Sequence, residues 1–380
     1  MKVLISVTHL LGTGHLSRAL TLARAFAADG HIVKLCSGGM PAPQLDHSGV
    51  EIIQLPPLRS DGTNFTTLLD QHGGRVNDAL LAERQAVQKA TLTSFQPDIL
   101  ITELFPFGRR ILSEEFLDVL NAAHAMAHRP IVLSSIRDIL APPSKPAKAE
   151  RADQIIEQLY DAVLVHSDPQ TTRLERSWPV SEMLRDKLRY TGYVAPPAAG
   201  VHPDRAGDSE ILVSAGGGSV GTRLFQTAVD AARLMPDARW RLLVGGSDAG
   251  DRIAALREQA QGTATIIEPA RPDFRQMLKH AAASVSMCGY NTALDLLQAG
   301  TPSVLIPFDA GNEVEQGLRA ESLAALTGFS VLRSAQMTPD ALRLAVTQVL
   351  EQGPRQDLSL GFDGAEQSVS IACRMVRARS

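Results

Sequence analysis

The sequence has few cysteines, few aromatic residues and no excess of positive charge. Its 380 residues include three cysteines, Cys36, Cys288 and Cys373, whose number and spacing fit neither a disulfide framework nor a metal-ligand motif. We therefore expect reduced thiols. Aromatic residues make up 4% of the chain, which argues against a stacking platform for single-stranded nucleic acid. The formal net charge of -4 predicts no overall attraction to nucleic acid.

Long hydrophobic runs are also absent. No stretch reaches the length of a membrane span. The apolar N-terminal segment is interrupted by polar residues and runs into glycines, which is typical of a first β-strand and not of a secretory signal. We expect a cytoplasmic protein, and peripheral association with the inner face of a membrane stays open. With 44% hydrophobic residues, the chain can build the cores of two domains.

Apolar β-rich runs alternate with helix-period segments along most of the chain. The predicted strands are residues 3–7, 32–36, 99–102, 131–134, 162–165, 210–214, 240–244, 265–267, 284–287 and 304–306. The predicted helices are residues 17–28, 78–94, 220–234, 251–259, 291–298, 313–326 and 365–379. Strands that alternate with helices indicate parallel sheets covered on both faces. The expected fold class is α/β, with two doubly wound, Rossmann-like domains.

A proline-, glycine- and alanine-rich stretch at residues 194–207 interrupts this alternation, as an interdomain linker would. We predict an N-terminal domain over 1–195, a C-terminal domain over 196–362, and a last segment, 363–380, whose helix returns to the first domain. Ligands of doubly wound sheets bind beyond the carboxyl ends of the strands. The default site is therefore a central cleft faced by both sheets.

The first candidate motif is a glycine loop after the first strand, Gly12-Thr13-Gly14-His15. Its glycines and the following helix start favour a bound anion, so Gly12 and Gly14 are candidate diphosphate ligands. The dinucleotide pattern is incomplete, because Ser17 stands where the third glycine would be. A histidine at this place suits a general base near neutral pH. The alternative is a histidine that only caps the helix.

The second motif reads SAGGGSVG over residues 214–221, between a strand and a helix. Successive backbone amides in such a loop can cradle a diphosphate. The candidate ligands are Gly217, Gly218, Ser219 and Gly221. The alternative is a flexible glycine loop without a ligand.

The third motif spans residues 287–308 and contains a strand, a glycine loop, a helix, an AGTP turn and another strand. Gly289 precedes Asn291 and Thr292, which are expected to cap the helix and help bind the diphosphate. Asp295 lies on the helix, where its carboxylate can accept hydrogen bonds from both hydroxyls of a ribose. The alternative for Asp295 is compensation of the helix dipole in the first turn.

Further polar side chains are candidates for contacts with the two sugars. Asp309, Glu315 and Gln316 are predicted to bind hydroxyls of the donor sugar, or else to be solvated at a helix start. In the N-terminal half, residues 97–110 read PDILITELFPFGRR, a strand followed by aromatic and basic residues. Glu103 and Arg109 of this stretch are predicted to contact an acceptor.

A second pair of acceptor candidates, Arg137 and Asp138, follows a later strand. The arginines would suit an anionic acceptor, or they are simply solvated at helix starts. Asp138 is also a candidate to orient the ring of His15.

Together these motifs resemble glycosyltransferase family 28, which includes the N-acetylglucosaminyltransferases that make the lipid-linked peptidoglycan precursor, and a branch of predicted bacterial glycosyltransferases. The resemblance spans most of the chain and is stronger in its C-terminal half. It implies the two-domain GT-B fold. The loop ending in His15 matches the family's N-terminal glycine loop with one glycine fewer, and residues 217–221 match its GGSxG loop at the donor phosphates.

Individual donor-site residues also correspond to the family pattern. Asp295 falls where the family has a ribose-binding glutamate, and Thr292 aligns with a threonine of the same helix start. Gln316 matches the second of two glutamines that bind the donor sugar, whereas Glu315 replaces the first. The arginine that the family carries near the domain junction is missing from residues 192–196. The shorter Asp295 changes the reach to the ribose, and Glu315 leaves the donor sugar open.

The resemblance implies an inverting transferase that moves a sugar from a nucleotide diphosphate to a hydroxyl acceptor, with UDP as the expected nucleotide and dTDP as its main rival. We expect no cofactor and no metal, since a D-x-D strand motif is absent from the sequence. Two alternatives remain. One is a nucleotide-sugar hydrolase or epimerase on the same fold, and the other is a non-catalytic protein that binds nucleotide sugars.

Overall fold

The computed structural model describes residues 1–10, 12–60, 67–216, 220–246, 248–309, 313–355 and 361–379. The chain forms two compact units. Unit 1 contains Met1–Pro196 and Leu360–Ser380, and unit 2 contains Pro197–Ser359. Each unit is built on a parallel sheet with helical connections, which confirms the predicted α/β fold with two Rossmann-like halves.

Unit 1 contains a seven-stranded sheet in which every described strand pair is parallel. Its strands are β1 (Lys2–Val7), β2 (Ile32–Ser37), β3 (Glu51–Gln54), β6 (Ile99–Glu103), β7 (Ile131–Arg137), β8 (Ala162–His166) and β9 (Leu188–Tyr190), while β4 (Arg59–Ser60) and β5 (Leu68–Leu69) form a separate antiparallel pair. The strand order is β3-β2-β1-β6-β7-β8-β9. The chain therefore winds outward in both directions from the neighbouring strands β1 and β6.

Helices cover both faces of this sheet. They are α1 (Gly14–Ala28), α2 (Asp78–Phe95), α3 (Ser113–His124), α4 (Pro146–Leu159), α5 (Glu182–Lys187) and α12 (Gly364–Arg379). Alternate strand residues point to opposite faces: Val3 and Ile5 pack with side chains of α1 and α12, whereas Leu4 packs with those of α2, α3 and α4. This two-sided burial explains why the strands read as continuous apolar runs.

The last helix belongs to unit 1 although unit 2 precedes it in sequence. Its Val369, Ile371, Ala372 and Cys373 are buried in the same cluster as the side chains of α1. The returning chain crosses residues 192–194 backbone to backbone, since Tyr193 N donates to Gly361 O at 2.8 Å. A Cβ at Gly364 would lie 2.5 Å from Gly192 O, so only glycine fits this crossing.

Unit 2 repeats the architecture with six parallel strands. They are β10 (Glu210–Ser214), β11 (Arg239–Val244), β12 (Ile266–Pro269), β13 (Ala283–Ser286), β14 (Ser303–Leu305) and β15 (Phe329–Val331), in the order β12-β11-β10-β13-β14-β15. The helices are α6 (Thr222–Arg233), α7 (Ala249–Gln259), α8 (Phe274–Leu278), α9 (Tyr290–Ala299), α10 (Glu315–Leu323) and α11 (Pro339–Gln352). Here the winding reverses between β10 and β13.

Two further features bear on the expectations from sequence. Cys36, Cys288 and Cys373 are free thiols, and all three are buried. Over the ranges that the structure describes, no helix combines the length and the apolar character needed to span a bilayer.

Candidate active site

Several candidate residues of unit 1 lie where the winding of its sheet reverses, between β1 and β6. β1 leads into the glycine loop and α1, and the neighbouring β6 ends at Glu103. This switch point is where doubly wound sheets bind their ligands. His15 is the second residue of α1, and its Nδ1 lies 3.0 Å from Glu103 Oε1. The N-cap of α1 is Thr13, so His15 does not hold the capping position.

Glu103 is the centre of a buried polar cluster. Arg18, three residues after His15 and so on the same face of α1, donates to Glu103 Oε1. Ser135 Oγ donates to Glu103 Oε2 at 2.7 Å. Burial opposes ionisation of Glu103, but Arg18 and the hydrogen bonds from His15 and Ser135 hold the pKa of its carboxyl below the ordinary value. Glu103 is 2% exposed, so it supports His15 from behind, which differs from its predicted role as an acceptor contact.

These bonds determine which nitrogen of His15 carries the proton. Arg18 Nη2 also lies 3.2 Å from His15 Nδ1, but this arginine nitrogen donates to Glu103 Oε1. Because an ionised Glu103 can only accept, we assign the hydrogen to Nδ1 and the lone pair to Nε2. No hydrogen bond from a described residue reaches Nε2, and the His15 side chain is 14% exposed. Burial, reinforced by the charges of Arg109 and Arg18, lowers the pKa of His15 to about 3. His15 is therefore neutral at physiological pH and can accept a proton through Nε2.

The cluster continues across the sheet to His166. Its Nε2 lies 2.9 Å from Ser135 Oγ, and its Nδ1 lies 2.9 Å from Thr191 Oγ1. Burial, together with the charge of Arg18, lowers the pKa of His166 to about 3. The single hydroxyl hydrogen of Ser135 goes to Glu103, so the Nε2–H of the neutral His166 donates to Ser135. Glu103, Ser135 and His166 lie on the neighbouring buried strands β6, β7 and β8. A polar side chain on each of these strands is the sequence signal for the cluster.

Of the other predicted acceptor residues, Arg109 is the one whose charge lowers the pKa of His15. Its Nε donates to Thr8 O at 2.6 Å, which fixes the side chain against the loop that follows β1. Arg137 ends β7 and is half-buried, and the adjacent Asp138 is buried. Burial and the charge of Asp138 raise the pKa of Tyr193 to about 12. The carboxylate placed against the ring of His15 is thus that of Glu103, and the prediction that Asp138 orients His15 is replaced.

The glycine loop of unit 1 leads into a helix start that has no side-chain cap. Gly12 has a left-handed backbone with φ 64°, and Gly14 is the first residue of α1. The N-cap, Thr13, makes no side-chain capping hydrogen bond. The start of α1 therefore keeps the partial positive charge of an uncapped helix.

Unit 2 has two helix starts at its own switch point. α6 follows β10 and α9 follows β13, and these two strands are neighbours. Their N-caps are Gly221 and Gly289, neither of which offers a capping side chain. Two uncapped helix starts at one sheet edge are suited to an anionic ligand such as a diphosphate. The predicted ligands Gly217, Gly218 and Ser219 lie outside the described residues.

The structure changes the predicted details of α9. Gly289 is its N-cap, so Asn291 and Thr292 are the second and third helical residues and do not cap it. Asp295 lies in the second turn and not in the first, which removes the helix-dipole interpretation. Burial raises the pKa of Asp295 to about 6, against the opposing effect of Arg275. Arg275 Nε donates to Asp295 Oδ1 at 2.8 Å, a contact that the sequence does not reveal.

The predicted donor-sugar residues lie around the start of α10. Gln316 Oε1 accepts from Phe308 N at 3.0 Å, which leaves its amide nitrogen without a partner among the described residues. Glu315 is the first residue of α10, and its backbone N donates to Glu313 Oε1 at 2.7 Å. Asp309 is exposed and accepts from Ser334 N at 3.3 Å. Gln316 is thus the most firmly placed of the three.

A family model decides what unit 2 is. The model of the glycosyltransferase family 28 C-terminal domain matches residues 212–359. Most of unit 2 is therefore similar to a family 28 C-terminal domain. The resemblance predicted from the sequence is thereby confirmed for this part of the chain.

Curated relatives agree with this family assignment. An N-acetylglucosamine transferase of Brucella anthropi, whose name gives UDP-N-acetylglucosamine and a pyrophosphoryl-undecaprenol compound, is 32% identical over 130 residues, 33% of this chain and 35% of the relative. A transferase of the same name from Syntrophotalea carbinolica is 30% identical over 188 residues, 46% of this chain and 51% of the relative. The chain thus spans about a third to a half of the length of these relatives.

Solved structures extend the likeness to the fold of the whole chain. MurG of Acinetobacter baumannii superposes with a TM-score of 0.62 at 14% identity, covering 99% of this chain and 98% of that one. The glycosyltransferase VinC, solved in complex with dTDP, gives a TM-score of 0.60 at 15% identity and covers 100% of both chains. The chain therefore has a GT-B fold, as predicted.

Proposed function

We propose that the protein is an inverting, metal-independent glycosyltransferase that moves a sugar from a UDP-sugar to a hydroxyl acceptor. The family 28 domain would bind the donor, and unit 1 would supply the acceptor contacts and the base. The observation that carries this proposal is the pairing of His15 with Glu103. A neutral histidine oriented by a buried, ionised carboxylate is an arrangement suited to general base catalysis.

In the proposed reaction, His15 Nε2 takes the proton of the acceptor hydroxyl as the oxygen attacks the anomeric carbon. The attack comes from the face opposite the diphosphate, which leaves, so the configuration at this carbon is inverted. The imidazolium that forms is stabilised by Glu103, which stays ionised. The low pKa of His15 is that of the protein without substrate, where Arg109 opposes protonation. An anionic acceptor that neutralises Arg109 would raise the pKa of His15 and make it a stronger base.

When the bond to the anomeric carbon breaks, the departing diphosphate gains one negative charge that needs stabilisation. The N-termini of α6 and α9 are proposed to supply it through backbone amides and helix dipoles. Turnover should then persist in EDTA, and a strict requirement for magnesium or manganese would overturn this part of the mechanism.

UDP-N-acetylglucosamine is the first donor to test, since the curated relatives are named for it. A panel of UDP- and dTDP-sugars should reveal the donor by a rise in melting temperature, because a ligand that binds only the native state stabilises it. Product analysis of the stabilising donor, with and without candidate anionic acceptors, then identifies the reaction. Sugar release at the full rate without an acceptor would indicate a hydrolase, and no stabilisation by any nucleotide sugar would contradict the proposal.

A further inference from the structure

Arg275, on α8, connects three parts of unit 2 through one guanidinium group. Its Nε donates to Asp295 Oδ1 at 2.8 Å, and its Nη2 donates to Gln298 Oε1 and to Pro197 O, each at 2.8 Å. Asp295 and Gln298 are neighbours on one face of α9, three residues apart. The planar fork of an arginine can hold several acceptors in a fixed relative geometry. Arg275 thereby restricts the rotation of the Asp295 carboxylate.

The two oxygens of Asp295 are not equivalent in this arrangement. Oδ1 accepts from Arg275, whereas Oδ2 has no hydrogen-bond partner among the described residues. The Asp295 side chain is 16% exposed, so a ligand can reach it although most of it is covered. A carboxylate fixed at one oxygen leaves the other to accept hydroxyl groups from a single direction.

Burial would also disfavour the charge of this carboxylate if Arg275 were absent. It raises the pKa of Asp295 to about 6, and Arg275 is the charged group that opposes the rise. A protonated carboxyl group loses acceptor capacity. Arg275 therefore both orients the acceptor oxygen and favours its ionised form.

We propose that Arg275 is a positioning residue of the donor site, which holds Asp295 so that its Oδ2 accepts the 2′-hydroxyl of a ribonucleotide. This inference rests on the proposed function of unit 2 as the donor-binding domain. Its consequence is selection of the donor class: the site prefers ribonucleoside diphosphates to 2′-deoxyribonucleoside diphosphates. A 2′-deoxy ligand leaves the desolvated carboxylate with an unmade charge-assisted hydrogen bond.

The test is calorimetric titration of the full-length protein with UDP and with 2′-deoxy-UDP. The wild type should bind UDP about 10-fold to 100-fold more tightly, the usual range for one charge-assisted hydrogen bond. Arg275→Met should weaken UDP binding about tenfold and bring the ratio of the two affinities close to one. Arg275→Lys keeps the charge but not the fork, so it should recover part of the UDP affinity without recovering the ratio.

Two further variants separate positioning from a general structural effect. Arg275→Met in an Asp295→Asn background should cause little additional loss, because residues that act through one another are not additive. Arg343→Met is the matched control. Arg343 lies on α11, and its Nε is 3.8 Å from Asp340 Oδ1, in an ion pair that involves neither Arg275 nor Asp295. It should leave both affinities unchanged.

The outcomes are distinct. If the wild type binds neither UDP nor 2′-deoxy-UDP, the donor-binding function fails and this inference fails with it. If UDP binds but the wild type does not distinguish it from 2′-deoxy-UDP, only the inference is overturned. Full additivity of the Arg275→Met and Asp295→Asn losses, or an unchanged affinity ratio in a folded Arg275→Met protein, would also overturn it.

Discussion

The ring of His15 sits among charged groups that affect its two nitrogens differently. Glu103 engages Nδ1, while no described residue bonds Nε2. His15→Ala should lower kcat by about 10²–10⁴, the usual contribution of a positioned acid–base group. The affinity for UDP should change little, since the family 28 domain is proposed to bind the donor. Steady-state kinetics and calorimetry on the same preparation provide the measurement.

The control for this prediction is the partner carboxylate. Glu103→Gln keeps the size of the side chain but removes the charge that stabilises an imidazolium, so it should also lower kcat while UDP binding persists. A near-normal kcat in His15→Ala, together with a lowered melting temperature, would make the histidine a structural residue.

Asp295 gives the donor site a predictable dependence on pH. Burial raises its pKa to about 6, and the ionised form is the better acceptor for ribose hydroxyls. UDP affinity should therefore be full above pH 7 and decrease as pH falls through 6. Calorimetric titrations between pH 5 and 8 measure this, and Asp295→Asn corrects for the titration of UDP itself. Parallel pH profiles in the two proteins would exclude Asp295 from nucleotide binding.

At the residue level, the sequence predicts which residues lie at the site better than it predicts which side chains they contact. Glu103 can be found because it ends a buried strand, but its contacts with His15 and Arg18 are not predictable, since a sequence does not show which charges surround a side chain. Arg18 has a usable signal, its i, i+3 spacing from His15. Arg275 is separated from Asp295 by twenty positions and follows no motif, so only the folded chain brings them together.

At the scale of elements, the strand-to-helix connections of unit 2 depend on particular glycines. Gly221 has a left-handed backbone with φ 85°, and an added Cβ would lie 2.4 Å from Ala215 Cβ. Gly221→Ala should destabilise the protein by about 1–3 kcal/mol and weaken UDP binding by displacing the start of α6. Chemical denaturation and calorimetry measure the two effects.

Gly250 offers the matched control. It lies in α7, where an added Cβ meets no atom within 4 Å, so Gly250→Ala should be neutral or stabilising by up to about 1 kcal/mol. If Ala215→Gly restored part of the loss in the Gly221→Ala protein, the steric origin would be supported. Equal stabilities of the Gly221→Ala and Gly250→Ala proteins would contradict it.

Elements were predictable where the periodicity is strong and uninterrupted. The strand at residues 210–214 matches β10 (Glu210–Ser214), and the helix at 78–94 is one residue shorter than α2 (Asp78–Phe95). The short edge strands β3, β9 and β15 were missed, because three or four residues carry too little pattern to be told from a loop. The helices α3, α4, α5, α8 and α11 were not among the predicted ones either.

At the scale of the whole molecule, the returning helix α12 links the end of the described chain to unit 1. Deleting residues 361–380 should expose the side chains of α1 that it covers, and each buried aliphatic side chain contributes about 1.5–3 kcal/mol. The free energy of unfolding of unit 1 should therefore fall by several kcal/mol, whereas the core of unit 2 should stay intact. Scanning calorimetry with and without UDP would separate the two transitions, since UDP is proposed to stabilise unit 2. An unchanged unit 1 transition would contradict the prediction.

The return of the last segment to unit 1, past Tyr193, also has a consequence for folding during synthesis. During synthesis, residues 1–196 leave the ribosome long before residues 361–379, and all of unit 2 emerges between them. Unit 2 is continuous in sequence and can complete its fold first, while the side chains of residues 1–196 that α12 will cover are still exposed. Such an exposed apolar face is a liability for aggregation, so the nascent chain is expected to depend on chaperones at this stage. A synthetic peptide of residues 361–380 should bind a fragment of residues 1–196 and rescue its solubility.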